Sequence, residues 1–115
     1  MIMDISHKID NDKILTAFQK KVLRKTLEIP RGEVRSYGWI AREIGCTAYR
    51  AVGMALHRNP YAPFVPCHRV ISSDGSIGGY AGGINKKIRT LKKEGVLFRY
   101  ASGRYTLSSG PGGIR

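Results

Sequence analysis

Between Pro60 and Gly83 the chain is interrupted first by Pro60, Pro63 and Pro66 and then by Gly75, Gly78, Gly79, Gly82 and Gly83. Proline has no amide donor and turns the residue before it away from the helical region, while clustered glycines favour turns, so no regular helix can cross this segment. Regular structure has to lie on its two sides. A stiff loop followed by a tightly turning one is expected between them, with the short run Cys67-His68-Arg69-Val70-Ile71 held near the core.

On the N-terminal side, Leu15, Phe18, Val22, Leu23 and Leu27 form a helical stripe among Lys20, Lys21, Arg24 and Lys25, which predicts an amphipathic helix from about Asp12 to Glu28, closed by Pro30 and Gly32. Ser36 is placed to cap a second, short helix containing Trp39, Ile40 and Ile44, with Gly45 as its stop. Thr47 is placed to cap a third, with Val52, Leu56, Ala48 and Ala55 facing the core, until Asn59-Pro60 ends it. Two short helices joined by a glycine-containing turn suggest a helix-turn-helix. Beyond the break, Ile84, Ile88 and Leu91 restore helical spacing, with Lys86, Lys87, Arg89, Lys92 and Lys93 assigned to the remaining surface and Glu94-Gly95 at the end. Val96–Tyr100 and Arg104–Leu107 read as a small hairpin or wing. The expected fold is therefore mainly α, a winged helix-turn-helix-like domain with a small C-terminal β-hairpin. Its domain spans residues 13–107, between a flexible arm at 1–12 and a flexible tail at 108–115.

The 115 residues fit one domain, and 20 Lys or Arg against 8 Asp or Glu give a formal charge of +12. That excess favours a polyanion, because each neutralised phosphate releases condensed counterions, and duplex DNA is the densest common target. No apolar run approaches the roughly 20 residues of a bilayer span, and the N-terminus does not read as a secretory signal. Cys46 and Cys67 are the two cysteines, which favours an intracellular protein with free thiols, cytoplasmic or nucleoid-associated.

Pro66-Cys67-His68-Arg69 is the most informative tetrapeptide. A nucleophilic cysteine must be available as thiolate, which neighbouring basic groups promote; His68 can act as relay or base and Arg69 can bias the field. Neighbours on an extended strand face opposite sides, so Cys67 and His68 can cooperate only in a turn or helical start. The alternative is a buried, inert cysteine. His7 and His57 are weaker candidates, and the spacing of the histidines and cysteines matches no familiar zinc pattern. Arg50 and Tyr37 suit a groove-entering side chain and a support for an extruded nucleotide, although either residue can serve as rim or solubilising surface instead. The stretch from Ser76 to Gly83 is neither a Walker A loop nor a dinucleotide fingerprint.

Several segments occur in a telling order: Phe18-Gln19, Ile29-Pro30-Arg31-Gly32-Glu33-Val34, Ser36-Tyr37, Ile40-Ala41, Arg50-Ala51-Val52-Gly53, Asn59-Pro60, Pro66-Cys67-His68-Arg69-Val70, Ser73-Asp74-Gly75, Gly78-Gly79-Tyr80-Ala81-Gly82-Gly83 and Glu94-Gly95. Together they make the sequence resemble the DNA-binding and active domain of the methylated-DNA-protein-cysteine methyltransferases, or 6-O-alkylguanine-DNA alkyltransferases. The resemblance implies irreversible transfer of the alkyl group to Cys67, with His68 relaying a proton through water, Glu94 orienting His68, Asn59 supporting the site's hydrogen bonds and Tyr37 handling the base. It also implies DNA contacts from Arg50, Tyr37, Thr47, Ala51 and Arg58, with Arg50 filling the space left by the extruded nucleotide. Tyr80, Gly78, Val70 and Ala81 would line the base pocket. Without the resemblance, Glu94 reads as the cap of its basic helix. Direct attack by sulfur requires neither cofactor nor metal. The implied partner is double-stranded DNA carrying 6-O-alkylguanine, bound by a monomer. A related reading is a damage sensor of the alkyltransferase-like kind, which binds such DNA without the accepting cysteine; more distant readings are a helix-turn-helix regulator and a multiple-turnover thiol hydrolase.

Overall fold

The computed structural model describes residues 4–62, 64–77, 83–101 and 104–109. It is mostly helical with one small antiparallel hairpin, as expected. Helices α1 (Ile5–Asn11) and α2 (Ala17–Leu27) are followed by strand β1 (Arg35–Ser36), α3 (Tyr37–Glu43) and α4 (Tyr49–His57). A single 3-10 turn at Cys67–Arg69 leads into β2 (Val70–Ile71), then α5 (Ile84–Lys93) and the hairpin β3 (Leu97–Ala101) and β4 (Arg104–Ser109).

Helix α2 starts later than the apolar stripe suggested. Thr16 Oγ1 accepts the Gln19 amide at 3.1 Å while Gln19 Oε1 accepts the Thr16 amide at 2.8 Å, a capping box that fixes the first turn at Ala17. The residues before it were expected to be a flexible arm. Residues 5–11 instead form α1, whose Ile9 is fully buried with Ile5 packed beside it. These isoleucines stand four apart, so even one short, mostly polar helix presents an apolar pair to α2. Asp10 adds an ion pair to Arg24 at 2.9 Å.

Ser36 caps α3 as expected, its Oγ accepting the Trp39 amide at 3.0 Å, and Gly45 turns the chain at φ 82°. The cap of α4 differs. Ala48 occupies that position without a side-chain bond, and the Thr47 carbonyl takes the Tyr49 amide at 2.9 Å, which moves the helix start one residue on and leaves both Thr47 and Ala48 exposed. Val52, Ala55 and Leu56 are buried against α2 and α3 together with Val22, Leu23, Ile40 and Val65.

Two short ladders complete the frame. β1 and β2 pair in parallel, Arg35 with Val70 and Ser36 with Ile71. The hairpin pairs Phe98 with Leu107 and Tyr100 with Tyr105, and it runs through Ser109, two residues into the tail expected to be flexible. Ladder bonds are made by the backbone, so polar side chains do not end a strand. Val96 is fully buried beside Val34, Ile71 and Leu91, with Phe98 and Leu107 packed on the same cluster. Deleting residues 96–115 removes these three apolar side chains, worth about 3 kcal/mol or more. Thermal unfolding is expected to shift down by about 10 °C or more; an unchanged midpoint would show that the wing adds no stability.

Candidate active site

The 3-10 turn resolves the geometric problem of adjacent Cys67 and His68. Pro66 opens it, the Arg69 amide donates to the Pro66 carbonyl at 2.9 Å, and both side chains turn inward, with Cys67 8% and His68 3% exposed. The backbone entering the turn is held by Asn59. Its Nδ2 donates to the Val65 carbonyl at 3.0 Å, which also accepts the Cys67 amide at 2.8 Å, while its Oδ1 accepts the Tyr61 amide at 2.8 Å. Asn59 thus organises the loop leading to Cys67.

Glu94 closes α5 and reaches back to this turn. Its Oε2 is 2.9 Å from His68 Nε2 and 2.9 Å from Arg69 Nη2, and its Oε1 accepts from Arg69 Nε at 3.0 Å. Arg69 Nη1 is tied to the Ile29 carbonyl at 2.7 Å, so the guanidinium is a fixed positive wall. Hydrogen bonds and charge from Arg69 and His68 overcome the effect of burial and hold the Glu94 carboxyl at about 2, against 4.5 ordinarily. An ionised Glu94 keeps the proton on His68 Nε2, leaving Nδ1 as the basic nitrogen. Burial dominates His68 itself and, against the pull of Glu94, lowers its pKa, so the ring is neutral at pH 7. Nδ1 is buried and has no hydrogen-bond partner among the described residues. A neutral imidazole with an unengaged nitrogen, oriented by a carboxylate, is equipped to accept a proton.

Lys87, assigned to the surface from its charge, is in fact fully buried. It follows Ile84 by three residues and precedes Ile88 and Leu91 by one and four, so it stands on the apolar face of α5, and a lysine in that phase was the legible signal. Its Nζ donates to the Val70 carbonyl at 2.6 Å, lies 3.5 Å from the Tyr37 hydroxyl and 5.7 Å from the Tyr37 ring centroid. Burial lowers its pKa to about 8, and negative charge on Cys67 opposes that fall. Tyr37 is raised by burial and further by the same charge. Lys87 and Tyr37 thus both stand close enough to Cys67 to interact with charge there.

The sign of the Lys87 shift gives a test of stability. The unfolded chain retains this proton up to about 10.5 while the folded chain releases it near 8, so folding stability rises with pH between those values. In urea unfolding, wild type is expected to gain about 2 kcal/mol relative to Lys87→Met between pH 7.5 and 10; parallel profiles would mean that Lys87 does not titrate early.

On the outer face, Thr47, Arg50, Ala51, Met54 and Arg58 are all exposed at helical spacing along α4 and its ends. Tyr37 is half-buried at the start of α3 and lies against α4 at Gly53, where a β-carbon would stand 3.9 Å from its ring. Tyr37 thus links the exposed face of α4 to the Cys67 neighbourhood. Val70, expected in the base pocket, is fully buried in the core. Gly78, Tyr80 and Ala81 lie outside the described residues. His57 ends α4 and His7 lies on α1, both exposed and apart from the site. Among the described residues no three His, Cys, Asp or Glu side chains gather as metal ligands.

Residues 17–96 match the family described as 6-O-methylguanine DNA methyltransferase, DNA binding domain. The methylated-DNA–protein-cysteine methyltransferase of Mycobacterium leprae is 51% identical over 87 residues, 75% of this chain and 53% of the relative. That of Methanosarcina acetivorans is 54% identical over 81 residues, 70% of this chain and 52% of the relative. The chain spans about half the length of these curated relatives. Among solved structures, Mycobacterium tuberculosis OGT in complex with DNA superposes with a TM-score of 0.68 at 53% identity, covering 70% of this chain and 50% of the other. Schizosaccharomyces pombe (S. pombe) Atl1 in complex with damaged DNA containing O6-carboxymethylguanine gives 0.72 at 38% identity, covering 79% and 88%. With the match extending from the start of α2 through α5 to Val96, the chain belongs to the 6-O-methylguanine DNA methyltransferase family through its DNA-binding domain.

Proposed function

We propose that this chain repairs double-stranded DNA by transferring the alkyl group of 6-O-alkylguanine irreversibly to Cys67. The observation that carries the reading is the buried Cys67-His68 turn, with its neutral imidazole oriented by an ionised Glu94. His68 Nδ1 takes the thiol proton through water, and the sulfur attacks the alkyl carbon to form a thioether. The carbon–oxygen bond breaks with its electron pair passing to guanine, which is then protonated; the Tyr37 hydroxyl, with Lys87 Nζ at 3.5 Å, is the nearby acid. A thioether cannot be hydrolysed by these groups, so each molecule acts once.

In this reading the exposed face of α4 meets the duplex, Thr47, Ala51 and Arg58 contact it, and Arg50 occupies the position of the extruded nucleotide. Gly78, Tyr80 and Ala81 are the residues this reading assigns to the base pocket, with Val70 packed in the core behind the Cys67 turn. The residues assigned to catalysis and DNA contact all fall within residues 13–107, and the protein acts as a monomer in the cytoplasm or nucleoid. The likeness to Atl1 supports a second reading, a sensor of alkylated DNA. Cys67 distinguishes the two. Mixing the protein with a duplex carrying one 6-O-methylguanine, followed by intact-protein mass spectrometry and peptide mapping, is expected to show one methyl on Cys67 and restored guanine. Lesion-selective binding without an adduct would replace repair with sensing, and repeated turnover would replace it with hydrolysis.

A further inference from the structure

Tyr61 lies in the loop that leads from α4 to Cys67, and its backbone is engaged on both sides. Its amide donates to Asn59 Oδ1 at 2.8 Å and its carbonyl accepts the Val65 amide at 2.9 Å. Its ring packs against the main core cluster, and its hydroxyl leaves the loop to donate to Asp12 Oδ2 at 2.6 Å. Asp12 is itself fixed. Its Oδ1 accepts the Ile14 and Leu15 amides at 2.8 and 2.9 Å, and its own amide caps α1 by donating to the Ile9 carbonyl at 3.2 Å. α1 is anchored in turn by buried Ile9, by the Asp10–Arg24 pair and by Lys20 Nζ on the Asp10 carbonyl at 3.0 Å.

A continuous path therefore runs from the N-terminal helix through Asp12 and Tyr61 to Val65, whose carbonyl receives the Cys67 amide. We propose that the Asp12–Tyr61 hydrogen bond is a strap by which α1 holds the backbone of the reactive turn, making Tyr61 and Asp12 positioning residues for Cys67. Neither touches the sulfur or a substrate. Among the described residues between His57 and Cys67 there is no helix or strand, so individual bonds of this kind order the segment. The bond lowers the Asp12 pKa and raises that of Tyr61, so carboxylate and phenol persist together at neutral pH.

The inference rests on Cys67 as the alkyl acceptor, but its test includes a reading that does not. In the full chain, Tyr61→Phe keeps the ring and removes the hydroxyl. Amide exchange at Val65 and Cys67 is expected to quicken by about tenfold, with Val22 and Leu23 in the core unchanged. Single-turnover methyl transfer is expected to slow by about tenfold while the dissociation constant for the duplex stays within about twofold. Asp12→Asn retains Oδ1 for the two amides and offers Tyr61 an N–H in place of an acceptor, so it should stay within about threefold of wild type in both readouts. Unchanged exchange at Val65 and Cys67 in Tyr61→Phe would overturn the strap, as would equal acceleration at Val22 and Leu23 or an Asp12→Asn loss as large as that of Tyr61→Phe. If wild type transfers no methyl at all, the repair reading fails while the exchange pattern still decides the strap.

Discussion

A Cys67→Ala variant is expected to acquire no methyl adduct from a duplex carrying 6-O-methylguanine, the largest functional loss of any single change in this chain. No other group in the turn can replace the sulfur, because an imidazole nitrogen is a much weaker nucleophile toward an alkyl carbon than sulfur and Arg69 is a cation held by Glu94 and the Ile29 carbonyl. Removing one sulfur from a site that is 8% exposed costs stability on the order of 1 kcal/mol, so the protein remains folded. Affinity for the damaged duplex should stay within about threefold, since the exposed α4 face is untouched. Intact mass and a binding titration on one preparation separate these effects. A methyl group appearing on Cys46, the second free cysteine, would refute the assignment of Cys67 as acceptor.

The second large effect is expected for Glu94→Gln. The substitution keeps the shape but removes the negative charge, so His68 and Arg69 lose a shared ionic acceptor in a site where the Glu94 side chain is only 5% exposed. Leaving one side of a buried charge cluster without its partner costs about 3 kcal/mol. Transfer should slow by about a hundredfold, because the imidazole no longer has an anion to fix its proton on Nε2. The pH profile supplies an independent check. Glu94 titrates at about 2 in the folded chain and 4.5 ordinarily, so its contribution is complete above pH 4.5 and disappears as the pH falls through about 2. Urea unfolding of the variant should lack that acid-side decline; equal declines in variant and wild type would place the dependence elsewhere.

The main helices were readable because their signals are local. Ser36 and Gly45 bound α3, the apolar repeat marks α5, and alternating residues around a glycine mark the hairpin. The reactive turn was readable in part: cooperation of Cys67 and His68 requires a turn, and prolines at 60, 63 and 66 favour an irregular backbone there. Local pattern misplaced the parts whose determinants are distant. Ile5 and Ile9 are too few to announce α1 until α2 is present to cover them. Lys87 carries a charge that favours the surface, yet helical phase puts it inside, where the Val70 carbonyl receives it. The meeting of Arg69 and Glu94, 25 residues apart, has no local signature, and only the family resemblance connected Glu94 with His68.

The parallel ladder between β1 and β2 is only two pairs long, but it joins decisive parts of the molecule. β1 runs directly into α3, β2 leaves the Cys67 turn, and Arg35–Val70 and Ser36–Ile71 rivet one to the other. That rivet removes a hinge. In the proposed reading α3 cannot advance toward a duplex while the thiol lags behind, so the span from α3 to the sulfur is a fixed gauge of the fold. For DNA seated on α3 and α4, whatever distance remains must be travelled by the nucleotide, and the pliability of the duplex becomes part of how a lesion is chosen.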